Sequence, residues 1–290
     1  SLAAFTPCFR FDVLVISSTA DVSALAHSDG KVHSRDMDRW FLIIASLFAV
    51  LGGILGVMTL TRGHRSRWTV VWMAATFICQ IGFLSIRGSD RGACPLIGIS
   101  EILVFLAWSL TLFYLIIGST YRLSLLGVFS APVVAIFQII ALLPGIWIAN
   151  PEAVEKTSAW GETHSATSVL AYGAFALAAV AAVMFLVLDR QLKAHHLNTG
   201  LFRNLPPVRE LLTSVRRLIL VGWALLTIGV VAGFLMPRGD ALGHLIAAVG
   251  VWLAYMVLIT TAQVRGLTGR RFSSLVVIFF VASLSVFALI

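Results

Sequence analysis

Apolar residues in this chain fall into long uninterrupted runs, separated by short polar or basic connections. Eight such runs follow residue 37, each with the roughly 20 residues that a helix needs to cross a bilayer core. Because lipid offers no hydrogen bonds to the backbone, each run is predicted to be an α-helix. The predicted spans are Trp40–Leu60, Trp68–Ile86, Ile97–Gly118, Leu123–Leu143, Ala166–Leu188, Leu218–Met236, Leu242–Thr261 and Phe272–Ile290.

The fifth run is the one around which the others are expected to pack. It carries no charge from Ala166 to Leu188 and is rich in alanine and glycine. Small side chains let neighbouring helices approach closely, so this helix is predicted to contact other helices rather than lipid. The sixth run carries Gly229 and Gly233 four residues apart, another close-packing signal. The fold class is therefore an all-α integral membrane protein, a bundle of eight transmembrane helices.

Composition limits the other classes of protein. Hydrophobic residues make up 59% of the chain, charged residues 12%, and mean hydropathy is +0.96, which leaves no room for a large soluble domain. The net charge of +8 is assigned to cytoplasmic connections rather than to nucleic-acid binding. Cys8, Cys79 and Cys94 form no CxxC pair, so neither a dithiol redox site nor a zinc site is indicated.

Residues 1–36 differ from the eight-helix region, residues 37–290. They mix histidines with both signs of charge, and their apolar run Val13–Ile16 is too short to span a membrane. The first methionine is Met37, directly before the first span. We expect Met37 to be the native start and residues 1–36 to be a disordered or non-native extension.

Lysine and arginine are unevenly divided between the two sets of connections. One set holds thirteen of these residues and the other, after Met37, holds five: Arg39, Arg87, Arg91, Lys156 and Arg238. The richer set is predicted to be cytoplasmic. Both ends of the eight-helix region then face outward, as do His164 and His244.

Three polar residues are candidates for chemistry. His164 and His244 each stand where a polar connection meets an apolar run. They could ligate haem iron axially, form a pH-sensitive pair, or bind nothing. Glu101, about a turn inside the third span, either faces the bundle interior and marks a site or caps the helix N-terminus near the interface.

Several segments resemble the cytochrome c assembly family of the CcsA and CcmC type. They are the stretch from His164 to Lys193 with LAYGAFALA and DRQLK, and RNLPPVRELLTSVRRLILVGWALLTIGVVAG from Arg203 to Gly233. RGSDRGACPLIGISEILVFLAWSLTLFYL is similar to the family pattern around helix three, and GVWLAY with GLTGRR resembles its end. The resemblance covers most of Arg87–Ile290, and the HemX/YpjD-like branch fits best.

This resemblance implies a protein that binds haem and handles or delivers it at the outer face of a bacterial inner membrane, for thioether attachment to apocytochrome c. It implies a ResB/CcsB-type partner subunit and no enzyme active site. His164 matches the first external histidine, an axial haem ligand, and Glu101 and Trp108 match the helix-three pattern. We add His244, and Trp160 from the interfacial aromatic belt, as candidate haem-binding residues.

Two departures from the family pattern keep alternatives open. Pro237–Gly243, PRGDALG, is short where the family carries a tryptophan-rich loop, WGxxWxWD, and threonines occupy positions 260 and 261 where a membrane histidine is expected. The absence of the tryptophan-rich loop favours a HemX-like accessory protein of haem biosynthesis or its regulation. A small-solute transporter is a further alternative, although the broken helices or inverted repeats that it would need are not visible.

Overall fold

Eight α-helices make up the described part of the computed structural model, in the order that the sequence predicts. It describes residues 26–61, 68–91, 94, 96, 98–121, 124–146, 158–193, 208–236 and 242–289. The helices are α1 (Ala26–Thr61), α2 (Trp68–Arg91), α3 (Ile99–Tyr121), α4 (Ser124–Ala141), α5 (Ala159–Lys193), α6 (Val208–Leu235), α7 (Leu242–Val264) and α8 (Gly269–Leu289). The start of α1 lies upstream of Met37, and the rest of the predicted extension, residues 1–25, lies outside the described residues.

Six of these helices are long and apolar enough to cross a membrane. By length and composition they are α1, α2, α3, α5, α6 and α7. The apolar part of α4, Leu125–Ala141, is shorter, and α8 is not among the six. The chain is therefore an all-helical, multi-pass membrane protein, while eight crossings remain a prediction.

Helix α5 is the centre of the bundle. Its most apolar window is 83% buried, and each residue from Ala171 to Ala182 is buried, so the helix is enclosed on all sides. The Ser109 side chain of α3 occupies the space that a Cβ at Gly173 would need. The expectation that small residues direct this helix against its neighbours is confirmed.

Two groups of helices pack on either side of α5. In the first group, α1 contacts α2 and α4, and α3 contacts α2 and α4. In the second, α6 and α8 pack on α5, and α7 packs on α6 and α8. The rings of Phe175 and Tyr255 stack between α5 and α7, with centroids 3.8 Å apart and planes 5° from parallel.

Most of the helices extend beyond the predicted apolar runs at one or both ends, because polar residues can continue and cap a helix at the aqueous edge, whereas α4 is shorter than its predicted run. Helix α5 begins at Ala159, seven residues before the predicted Ala166. The Gly161 N–H donates a hydrogen bond to Ser158 Oγ at 3.2 Å, which satisfies one of the unpaired donors of the first turn. His164 is consequently inside the helix and not in a loop, which fixes the direction of its side chain.

Candidate functional site

His164 is held against the backbone of the neighbouring helix. The residue is half-buried in the second turn of α5, and its ring Nδ1 lies 2.7 Å from the Gly229 carbonyl oxygen of α6. A carbonyl oxygen only accepts hydrogen bonds, so Nδ1 is the protonated nitrogen and donates. In the neutral ring, Nε2 then carries the lone pair. This is the arrangement in which a histidine ligates a metal, because the second hydrogen bond orients the ring and raises its basicity.

Glycines of α6 allow this close approach. A Cβ at Gly233 would lie 2.8 Å from His164 Nδ1, and one at Gly229 would lie 2.7 Å from Ser168 Oγ. Real Cβ atoms essentially never approach other atoms that closely. The two glycines therefore serve the contact between α5 and α6, as the four-residue spacing predicts, and they leave room for an imidazole in that contact.

The beginning of α7 borders the same glycine. Leu245 Cδ1 would lie 2.8 Å from a Cβ at Gly233, on the helix that starts at Leu242. His244 belongs to the first turn of α7, directly before Leu245, and its side chain lies outside the described residues. The structure thus places the Leu245 side chain of α7 and the His164 ring against the same glycine of α6. A pair formed by the two histidines stays a prediction.

Two further side chains stand near the N-terminus of α5. Trp160 is four residues before His164, so both project from one face of the helix, and the indole is 49% exposed. Met236, the residue after α6, places its Sδ 3.1 Å from the Cβ position of Gly161. Sequence reasoning did not single out Met236, because a methionine at the end of an apolar run has no distinctive pattern.

Glu101 belongs to a buried ion-pair network at the start of α3. Its carboxylate accepts a hydrogen bond from the Gly98 N–H at 3.3 Å, and its Oε1 lies 3.5 Å from Arg87 NH1 of α2. Arg87 Nε lies 2.5 Å from Asp38 Oδ2 of α1. All three side chains are at least 95% buried. Glu101 therefore does both things that the sequence left open: it caps α3 and it faces the bundle interior.

The location of Arg87 corrects its sequence assignment. Its position after the second apolar run predicts a place in an outer connection, but Arg87 lies inside α2, with its Cζ 5.6 Å from the centre of the Phe83 ring. A signal was present in the sequence. Met73, Gln80 and Arg87 recur every seven residues, which is about two helical turns, and all three are buried on one face of α2.

Trp108 is part of the packing between α2 and α3. It is 5% exposed, and its ring is nearly parallel to that of Phe77, with centroids 5.6 Å apart, while Phe105 lies at 5.1 Å. Glu101 and Trp108 are thus brought together with α2, and His164 is brought together with α6. A role for Glu101 and Trp108 in haem binding remains a prediction.

Any metal bound near His164 would be held by a single protein ligand rather than by a cluster of ligands. Within the described ranges, no three of His, Cys, Asp and Glu come together as a metal site. A single imidazole is enough, however, for iron that a porphyrin already holds, because the protein then supplies only axial ligands. The hydrogen-bonded imidazole of His164 fits that requirement.

Comparison with known proteins identifies the family. Residues 96–288 match the cytochrome C assembly protein family. The chain belongs to this family. Similar proteins include the cytochrome c biogenesis protein CcsA of Nostoc punctiforme, 32% identical over 139 residues, and that of Thermosynechococcus vestitus, 26% identical over 245 residues. The Chlamydomonas reinhardtii CcsA is 24% identical over 233 residues.

The extent of these matches differs. The match to the Nostoc protein covers 46% of this chain and only 39% of that relative, so the chain spans about two fifths of its length. The match to the Thermosynechococcus protein covers 69% of this chain and 76% of the relative, and the match to the Chlamydomonas protein covers 76% and 64%. The matches to these relatives therefore range from 39% to 76% of their length, and the family match covers residues 96–288 of this chain.

Proposed function

We propose that this protein binds haem through His164 and handles or delivers it at the outer face of a bacterial inner membrane, for attachment to apocytochrome c. The observation that carries the proposal is the 2.7 Å contact between His164 Nδ1 and the Gly229 carbonyl oxygen. It leaves Nε2 as the free electron-pair donor, and its orientation is set by a second helix rather than by the side chain alone.

His164, Gly229 and Trp160 would each contribute to haem binding in this proposal. Nε2 would bind the iron, the Gly229 carbonyl would keep the ring in one orientation, and the exposed Trp160 indole, one turn away on the same helix face, would offer an apolar surface to the macrocycle. Haem supplies the vinyl groups that form thioethers with a cytochrome. The chain itself acts by holding and positioning the cargo, without an enzyme active site of its own.

The outer location of the site is supported by the thirteen-to-five division of basic residues, in which the α2–α3 connection and the N-terminus of α5 belong to the less basic face. Because Arg87 is buried in α2 and not in a connection, four basic residues remain on that face, and the division becomes more uneven. Apocytochrome c and a ResB/CcsB-type subunit are the partners that the family resemblance implies.

A HemX-like accessory role is the second candidate. It is favoured by one specific feature, the connection from Pro237 to Gly243, which has no tryptophan where the family pattern has several. In that role the chain would bind haem, or act on its biosynthesis or regulation, without passing it to a cytochrome. A small-solute transporter is less well supported, since no described helix has the break that such a site uses.

Haem titration of the purified protein tests the proposal. We expect a Soret band for the wild type under reducing conditions with haem in excess, and its loss or shift in His164→Ala, with the variant still inserted in the membrane. His195→Ala is the matched control, since that histidine follows α5 in a predicted cytoplasmic connection. Identical spectra for wild type and His164→Ala would refute haem ligation at this residue. Binding without transfer to apocytochrome c would favour the accessory role.

A further inference from the structure

Polar side chains are buried unevenly between the two groups of helices. Among the described residues, twelve buried polar or charged side chains belong to α1–α4 and three belong to α5–α8. Most of the hydroxyl groups in the first set donate to a carbonyl oxygen on their own helix, as Ser46 does to Leu42 and Thr111 to Ala107. The buried charges of this set are paired with one another.

Two glutamines in this group are different. Gln80 of α2 and Gln138 of α4 are fully buried, and neither the amide oxygen nor the amide nitrogen of either residue has a hydrogen-bond partner among the described residues. Each amide can donate two hydrogen bonds and accept two. Leaving such a group unpaired in an apolar interior is costly, so two of them in one core require an explanation.

Helix geometry places the two glutamines on the faces of α2 and α4 that approach each other at Thr69 and Gly127. Lower in the bundle, Thr69 of α2 contacts Gly127 of α4, because Thr69 Cγ2 lies 2.9 Å from the position of a Gly127 Cβ. Gln80 follows Thr69 by eleven residues, and Gln138 follows Gly127 by eleven. Eleven residues make about three helical turns, so each glutamine lies on the same face of its helix as the residue that makes the lower contact.

Apolar side chains close the site on the outer side. Phe83 and Ala141, each three residues beyond a glutamine, share one buried cluster with Leu42 of α1 and Val104 of α3. Side chains of all four helices therefore meet in an apolar cluster one turn beyond the amides. The cluster lies between the amides and the Arg87 network, which is nearer the end of α2.

We propose that Gln80 and Gln138 form a buried binding site for ordered water between α2 and α4. The amides are neutral, so an ion would gain no counter-charge there, and both residues are completely buried, so the site is closed to a large ligand from solvent. Water suits the site because it both donates and accepts, and a buried water typically has two to four polar partners. The bound water would join α2 to α4 by hydrogen bonds that the amides do not make directly.

Selective labelling gives a direct test on the full chain in a lipid bilayer disc. The chain has four glutamines, Gln80, Gln138, Gln191 and Gln263, so labelling with ¹⁵N-glutamine produces four side-chain amide groups. Magnetisation transfer from water is measured in the laboratory and rotating frames, which distinguishes long-lived bound water from proton exchange. Single Gln→Leu variants assign the signals. Gln263 is exposed at the end of α7 and serves as the control.

We expect contacts with long-lived water at Gln80 and Gln138, and exchange with bulk water at Gln263. In Gln80→Leu, the water contact at Gln138 should fall at least severalfold, whereas Gln263→Leu should leave it unchanged. If Gln80→Leu does not fold, Gln80→Asn and the wild-type spectrum supply the same comparison. Mutual contacts between the two amides without water would overturn the proposal, as would bulk-like exchange or the absence of any water contact at both residues.

Discussion

Replacing Gly233 by alanine should move the imidazole ring of His164 while leaving the histidine itself in place. The new Cβ would lie 2.8 Å from His164 Nδ1 and 2.8 Å from Leu245 Cδ1, closer than real Cβ atoms come to other atoms. The backbone of two packed helices cannot move far, so the imidazole must rotate away. Rotation turns the Nδ1–H away from the Gly229 carbonyl oxygen, which Nδ1 contacts at 2.7 Å, and a hydrogen bond weakens steeply as its angle becomes unfavourable.

Stability and haem affinity should respond to this change by different amounts. Overpacking a core costs about 1–3 kcal/mol, and alanine in place of a helical glycine returns roughly 0.5–1 kcal/mol. The net loss of stability is therefore small. Loss of the hydrogen bond that orients a ligating histidine weakens metal binding by about 10–100-fold. Haem affinity is consequently the more sensitive measurement.

Haem titration followed by Soret absorbance measures the affinity, and thermal unfolding of the same samples measures stability. Gly250→Ala is the matched control, because Gly250 is a helical glycine with nothing within 4 Å of its Cβ position. We expect it to bind haem as the wild type does. A Gly233→Ala variant with wild-type affinity would show that the contact between His164 and α6 is not part of the haem site.

Two other predictions concern charge. Arg87→Gln should destabilise the protein by about 3–5 kcal/mol in thermal unfolding, because it removes the guanidinium from two buried carboxylates. The control Arg209→Gln, whose side chain is exposed, should change the melting temperature little. Equal melting temperatures for Arg87→Gln and the wild type would refute a structural ion-pair network. Alkaline phosphatase fused after Ile290 should be active and the same enzyme fused after Asn198 inactive, since the basic connections are predicted to be cytoplasmic; the opposite pattern would reverse the membrane orientation of His164.

Helix number and the central position of α5 could be predicted from sequence because each depends on local composition. A run of about 20 apolar residues has few alternatives to a helix in lipid, and an alanine-rich run packs best against other helices. The ends of the helices could be predicted less well from the sequence. Hydropathy reports which residues suit lipid, whereas the start of α5 depends on the cap at Ser158, a polar residue outside the apolar run.

The site was only partly predictable because its contacts join residues far apart in the chain. The type of residue and its place at a helix end pointed to His164, but the carbonyl that orients it belongs to Gly229, 65 residues later. Sequence alone gives no hydrogen-bond partner to a backbone atom. In the same way, Glu101 was recognisable as an acid in an apolar helix, whereas its partner Arg87 resembled a charge in a connection until the fold placed it in α2.

The network of Glu101 also bears on how much of the chain forms the functional unit. The family match covers residues 96–288, which includes Glu101 but not α1 or α2. Arg87 and Asp38 come from those two helices, and both are buried with Glu101. A protein cut at residue 96 would lose the guanidinium that lies against this carboxylate, together with the packing surface that α2 offers to Trp108. The first two helices therefore fold with the family region as part of one structure, and experiments on the haem site require them.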